Sequence, residues 1–255
     1  MTDAAEVISV KGLSKYYGNH AAVVDLRLRV CAGKILALVG VNGAGKTTTL
    51  RCMAGIIPPS AGEITIAGHA LVGDALAAKR KLCFVPDTPH LFDYLTVVEH
   101  LRFAARIHGI GDVESRITEL LQRFELESKA HELPQALSRG MRQKVAICMA
   151  FLHDPRAILL DEPLTGLDPL GIASMKEAII ERARKHQAAV IVCSHQLEVL
   201  ESLSDSIMIV DKGRCVVEGT LEDLRARVGA KSGELSLEEV FLRLKGVTPR
   251  RAVSV

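Results

Sequence analysis

Two short stretches of this chain carry residue types that handle phosphate. The first, GVNGAGKT at residues 40–47, follows the apolar run ILALV (35–39) and leads into the helical pattern TTLRCMAGI. Its G-x-x-x-x-G-K-[ST] spacing stands in the strand, loop and helix setting that the chemistry requires. Glycines there let the backbone turn tightly enough for consecutive N–H groups to face phosphate oxygens, and the dipole of the following helix favours negative charge. Asn42, Gly43, Ala44, Gly45, Lys46, Thr47 and Thr48 are therefore the candidate nucleotide-binding residues of this loop. Lys46 is expected to reach the β- and γ-phosphates of a nucleotide, and Thr47 to offer its hydroxyl to Mg2+.

The second stretch, AILLDEP at 157–163, ends an apolar run on two adjacent carboxylates. The carboxyl ends of parallel strands are where α/β sheets bind ligands. Asp161 is suited to hold Mg2+, directly or through water, and Glu162 to polarise an attacking water as a general base. His195 closes another apolar run, AVIVCSH, and is expected beside the same sheet edge, with Ser194 capping the helix that follows. A third stretch is less obvious. ALSRGMRQKVAIC (136–148) opens an amphipathic helical pattern on a polar knot with basic residues in its first turn, a second helix N-terminus dressed for an anion.

These residues need a scaffold that gathers strand ends. Runs rich in Ile, Val and Leu recur at 7–10, 26–30, 35–39, 63–66, 82–85, 157–160, 189–193 and 206–210. Most are continuous, the pattern of strands buried on both faces, whereas LRLRV (26–30) alternates as a half-exposed antiparallel strand does. DKG (211–213) reads as a turn into RCVVEG, making a hairpin. Between Pro86 and Pro155 helical periods take over: Thr96 and Glu99 form a capping-box pair ahead of VVEHLRFAARIHG, and VESRITELLQRF follows. The expected fold is α/β, a phosphate-loop core with a mixed sheet, an antiparallel β part and a helical insertion. Residues 1–87 and 156–220 are assigned to the core, 88–155 to the helical subdomain, and 221–255 to a C-terminal extension of short helices ending in the loose tail TPRRAVSV.

Thirty-two Lys and Arg against thirty Asp and Glu leave a formal charge of +2. That balance does not support charge-driven binding to nucleic acid, and no such partner is expected. The six cysteines (31, 52, 83, 148, 193, 215) show no close pair and no metal-ligand spacing, so they read as buried free thiols in a reducing compartment. The N-terminal MTDAAEVISV lacks the apolar run of a signal peptide. No stretch approaches the roughly 18 apolar residues of a membrane span.

In order along the chain, these motifs resemble those of the nucleotide-binding subunits of ATP-binding-cassette (ABC) transporters, over about residues 6 to 245. GVNGAGKTT resembles the family's phosphate loop, LSRGM its signature motif, ILLDEP its Mg2+ and base strand, GLD (166–168) its D-loop and CSH (193–195) its switch histidine. The resemblance implies an ATPase using ATP and Mg2+, with Glu162, His195 and Lys46 catalytic and Tyr17 stacking on adenine. Ser138 and Gly140 are then expected to face the γ-phosphate of ATP held by a second copy. A homodimer would sandwich two ATP molecules at the cytoplasmic face of the cell membrane and drive a separate membrane-spanning permease subunit. The segments LTVVEHLRFAARIHG and LSLEEVFLRLKG look most like ATPase subunits of bacterial ABC-2-type exporters, which implies export.

Two positions depart from the family pattern. The signature is usually LSGGQ; here Arg139 and Met141 stand at its third and fifth positions, and Arg139 reads as a solvated arginine or as an added charge toward phosphate. FVPDTP carries Asp87 where the family has glutamine. An ionised aspartate only accepts hydrogen bonds and is one methylene shorter, so Asp87 is kept as a candidate Mg2+ ligand while its sensing of the γ-phosphate is altered. Beyond it, HLFDYL (90–95) offers apolar residues that could seat a short helix of a membrane partner. The alternatives are a soluble ABC ATPase acting on ribosomes or DNA, whose members carry paired cassettes or a long coiled-coil insertion, and a phosphate-loop kinase, which leaves LSRGM unexplained.

Overall fold

Two sheets meet in the computed structural model, which describes residues 5–246. The strands are β1 (Glu6–Tyr17), β2 (His20–Cys31), β3 (Ile35–Val39), β4 (Ala61–Ile66), β5 (His69–Ala70), β6 (Leu82–Val85), β7 (Ala157–Asp161), β8 (Ala189–Cys193), β9 (Ser206–Asp211) and β10 (Arg214–Gly219). The α-helices are α1 (Lys46–Met53), α2 (Ala75–Arg80), α3 (Val97–Ile107), α4 (Glu114–Arg123), α5 (Arg139–Phe151), α6 (Pro169–Arg184), α7 (Leu197–Leu203), α8 (Leu221–Arg227) and α9 (Leu237–Leu244). One sheet is antiparallel, in the order β2-β1-β4-β5, and the other mixed, in the order β10-β9-β3-β8-β7-β6. Only β10 runs antiparallel within the second sheet, as the hairpin partner of β9 across the DKG turn.

The mixed sheet follows from its residues. Every residue of β3, β7 and β8 is buried, and successive side chains enter opposite cores. Ile35, Ala37 and Val39 pack with the helices from α3 onward, while Leu36 and Leu38 pack with α1 and the antiparallel sheet. Strand order then does what spacing along the chain cannot. β3 and β7 both flank β8, and all three are parallel, so the phosphate loop, the Asp161-Glu162 pair and His195 emerge at one edge.

β1 and β2 run 12 residues each, well beyond the expected VISV and LRLRV. The register of β1 against β2 shifts between Val10 and Leu13, where Gly12 has φ +67. A bulge of that kind breaks the two-residue alternation without ending the strand. From Leu26 onward β2 does alternate, its leucines and Val30 inward and its arginines outward.

Helix caps are set locally. Thr96 accepts from the Glu99 N–H, and Glu99 Oε2 accepts from the Thr96 N–H at 2.8 Å, closing the capping box of α3. α5 starts on Ser138, whose Oγ accepts from the Met141 N–H at 3.1 Å. Ser194 is not the cap of α7: Gln196 occupies that position without a side-chain bond, and Ser194 Oγ instead closes a tight turn by accepting from the Gln196 N–H at 3.1 Å. All six cysteines are free, but Cys215 is exposed and Cys31 half-buried. Cys215 escapes burial because β10 is the edge of its sheet. Among the described residues no helix is long and apolar enough to cross a membrane, and the TPRRAVSV tail lies outside the described residues.

Candidate nucleotide-binding site

Sterics dictate the phosphate loop. Gly45, the residue before α1, has φ +101, and a Cβ there would lie 2.4 Å from the Ala22 carbonyl oxygen; a Cβ on Gly40 would lie 2.6 Å from the carbonyl oxygen of Val210. Glycine alone fits both positions. Lys46 folds back across the loop, its Nζ donating to the carbonyls of Gly40 at 2.6 Å and Val41 at 3.3 Å.

The loop forms one wall of a cavity of about 370 Å3. The cavity is lined by Tyr17, His20 and Ala22 of the antiparallel sheet, by residues 42–48, and by Asp87, Asp161 and Glu162. Of the residues singled out by sequence, the whole loop, Tyr17, Asp87, Asp161 and Glu162 thus share one cavity. Ser138, Gly140 and His195 do not line it. His20 and Ala22 carried no sequence signal: they enter because β2 folds back beside Tyr17. The Tyr17 ring is half exposed, with Lys15 Nζ 5.1 Å from its centroid.

Asp161 is buried, which pushes its carboxyl above the usual carboxylate range. A hydrogen bond with the Thr47 side chain opposes the push, the charges of Glu162 and Asp87 add to it, and that of Lys46 works against it. A buried carboxylate beside a hydroxyl and two further acids is a hard-oxygen site in need of positive charge, and so fits Mg2+. Among the described residues no three His, Cys, Asp or Glu side chains converge as a metal cage. Mg2+ bound with a nucleotide takes one or two carboxylates and completes its shell with phosphate and water.

Glu162 has φ +51, a left-handed conformation uncommon outside glycine, and its N–H donates to the Cys193 carbonyl at 2.9 Å. Its Oε2 accepts from the His195 N–H at 3.2 Å and lies 2.8 Å from His195 Nδ1. Two residues 33 positions apart are thereby tied at the ends of adjacent strands. The strained backbone aims the carboxylate between the cavity and the imidazole.

The signature helix lies apart. Ser138 is exposed, while Gly140 is buried so tightly that a Cβ would lie 2.4 Å from the Gly166 carbonyl oxygen. Gly140 is therefore required by the GLD turn of its own chain, whatever else faces it. Asp168 of that turn caps α6 by accepting from the Gly171 N–H at 2.8 Å. Arg139 is not a free solvated side chain: its Nη2 donates to Asp87 Oδ1 at 2.7 Å.

A second, apolar cavity of about 500 Å3 lies between β6 and its following loop, α3 and α5, with Phe84, Leu91, Phe103, Ile107 and Met149 in its walls. Buried His100 of α3 ties down the loop that precedes the helix, Nε2 accepting from the Phe92 N–H and Nδ1 donating to the Thr96 carbonyl, each at 2.8 Å. Ile107 remains 65% exposed in the cavity wall, and Tyr94, in the loop before α3 but outside the cavity lining, is 91% exposed.

Comparison with known proteins places these features. A model of the ABC transporter family matches residues 23–165. The ABC-type transporter ATP-binding protein EcsA of Bacillus subtilis (strain 168) is 35% identical over 240 residues, covering 93% of this chain and 96% of EcsA. A Nod factor export ATP-binding protein I of Cupriavidus pinatubonensis (strain JMP 134 / LMG 1197) is 32% identical over 249 residues, covering 95% and 75%. A solved ATP-binding subunit of an ABC transporter superposes with a TM-score of 0.89 at 36% identity over 94% of this chain and 99% of its own. The ATP-binding cassette MJ0796, solved as a dimer in a post-hydrolysis state bound to ADP and Pi, gives 0.77 at 26% identity over 84% and 98%. With its phosphate loop at the edge of a mixed sheet, the chain belongs to the ABC transporter family as one of its ATP-binding subunits, an ATPase.

Proposed function

We propose that two copies of this chain close on two ATP molecules and use binding and hydrolysis to drive export through a separate membrane-spanning subunit, working from the cytoplasmic face of the membrane. One observation carries the reading. The cavity holds only half of the motifs: Lys46, Thr47, Asp161 and Glu162 line it, while the exposed Ser138 lies outside. A second copy related by two-fold symmetry supplies the missing half, its Ser138 and the start of its α5 covering the nucleotide. The dimeric MJ0796 cassette with ADP and Pi supports that arrangement.

Within each site the loop N–H groups and Lys46 bind and orient the phosphates, and Tyr17 offers its ring to adenine. Thr47 and Asp161 would hold Mg2+, with Asp87 within its field, and the bound ion would offset the phosphate charge. Glu162 takes the proton of the attacking water, and His195, hydrogen-bonded to it, holds the carboxylate in place. Closure excludes water and fixes these groups around the transferring phosphoryl.

The apolar groove is the seat for a short helix of the membrane subunit, and the relative named for Nod factor export supports the direction. The test is association: Glu162→Gln protein with ATP and Mg2+ should migrate as a dimer carrying two ATP. A species that stays monomeric at saturating ATP rejects the sandwich. Purification from membranes should bring down a multi-span chain; a ribosome or DNA companion in its place rejects transport.

A further inference from the structure

Asp87 and Arg139, both departures from the family's motifs, touch each other. Asp87 follows β6 through Pro86, lines the nucleotide cavity and adds its charge to the field on Asp161. Arg139 is the first residue of α5, 52 positions on, and its Nη2 donates to Asp87 Oδ1 at 2.7 Å. Three features hold the arginine there. A cation in the first turn of a helix opposes the dipole, and α5 has no acidic residue in that turn to offset it, so Asp87 supplies the anion. The arginine stem lies over the GLD turn, where a Cβ on Gly166 would sit 3.6 Å from Arg139 Cγ and Cδ. One turn later, Gln143 Nε2 donates to the Pro86 carbonyl at 3.5 Å, joining α5 to the same loop again.

Resting on the reading that the cavity takes ATP with Mg2+, we propose that Arg139 is a positioning residue that competes with Mg2+ for Asp87, tying the cation side of the site to the start of the signature helix in the same chain. The reasoning is charge balance. While Arg139 neutralises it, Asp87 attracts the ion weakly; with the arginine removed, its full charge acts on the site. Linkage makes the effect reciprocal: what Mg2+ gains from Asp87 is lost by Arg139, and the N-terminus of α5 is loosened as the metal-nucleotide binds. Both side chains are about half exposed, 51% and 45%, so the effect is modest and screened by salt.

The experiment titrates Mg2+ against calorimetric binding of the β,γ-imido analogue of ATP to the full chain, a readout that needs no turnover. Arg139→Ala should lower the Mg2+ concentration for half-maximal tightening by about two- to fivefold, the range that corresponds to an exposed ion pair. Asp87→Asn should raise it, and Arg139→Lys should stay near wild type because an ammonium still pairs. With Asp87→Asn already present, Arg139→Ala should change nothing. An equal shift with and without Asp87 would assign the effect to the general field of a cation and overturn the proposal, as would an unchanged Mg2+ requirement in Arg139→Ala alone. Thermal melting without nucleotide checks that each variant folds. Lys46→Ala tests the underlying reading separately: undiminished nucleotide binding there overturns the site assignment and the proposal together, whereas lost binding leaves the Arg139 result to decide the proposal.

Discussion

Glu162→Gln separates binding from chemistry. Glutamine keeps the shape of glutamate, so its oxygen can still accept from the His195 N–H at 3.2 Å and from Nδ1 at 2.8 Å. Exchanging a charged acceptor for a neutral one costs the fold only about 1 kcal/mol. The phosphate loop and Asp161 keep their places, and removing one negative charge beside the cavity leaves nucleotide affinity equal or higher. What disappears is the base. A positioned general base is worth about 10²–10⁴-fold, which at about 1.36 kcal/mol per decade is roughly 2.7–5.4 kcal/mol on the barrier. His195→Ala supplies a gradation, since it removes the ring contact but leaves the backbone N–H and the carboxylate. Its loss should be smaller, up to about 10²-fold from misplacement of the base. Single-turnover hydrolysis of γ-labelled ATP, read beside equilibrium binding, measures both. Hydrolysis by Glu162→Gln within about tenfold of wild type would refute the base assignment.

Gly140→Ala forces a methyl against the Gly166 carbonyl oxygen, and at about 1–3 kcal/mol of overpacking it should lower the Tm by about 2–12 °C. Gly111→Ala, which meets nothing within 4 Å, is the control, and an equal Tm in the two would contradict the packing argument. Burial raises the Asp161 pKa, so its protonated form favours the folded state. That contribution is complete below the ordinary carboxylate pKa and lost as pH rises through the raised value. Asp161→Asn should therefore raise the Tm of the nucleotide-free protein at pH 7 and flatten its decline from acid to neutral pH, while weakening Mg2+-dependent nucleotide binding; a lower Tm at pH 7 would contradict it. Ile107→Asp places a charge in the apolar groove and should abolish co-purification with the membrane subunit while ATP-dependent dimerisation persists. Undiminished co-purification would place the docking site elsewhere.

What was legible in the sequence was local. Phosphate-loop glycines, the Thr96-Glu99 cap and the DKG hairpin each declare themselves within a few residues, because turn sterics and capping bonds act at that range. Fully buried runs gave most of the mixed sheet in the same way. β1 exceeds its apolar run because a bulge at Gly12 and polar residues beyond it hide a continuing strand, and β2 because Asp25, at φ +47, interrupts the alternation between AAVV and LRLRV. Contacts made by strand order were legible only as shared edges: Glu162 and His195 both read as strand-end residues, but their 2.8 Å contact depends on β7 lying beside β8. The Asp87–Arg139 pair was beyond reach, since each residue departs from its own motif and nothing in either motif points to the other. Gly140 shows a second demand that its motif does not reveal, since the glycine expected to face a partner's phosphate is also required by the carbonyl of Gly166 in its own chain.

The composite site is tested most directly by where lesions fall in a two-chain dimer. Because Gly140 is committed to packing within its own chain, Ser138→Asp is the better probe: aspartate keeps the helix cap and sets a negative charge against the partner's nucleotide. Obligate dimers are assembled with Lys46→Ala on one chain and Ser138→Asp on the other, or with both on one chain and neither on its partner. In the first arrangement both lesions fall in the same composite site, so one ATP per dimer should still be occluded; in the second each site is damaged and none should be. Equal ATP occlusion in the two arrangements would contradict the sandwich and leave Ser138 as a helix cap alone.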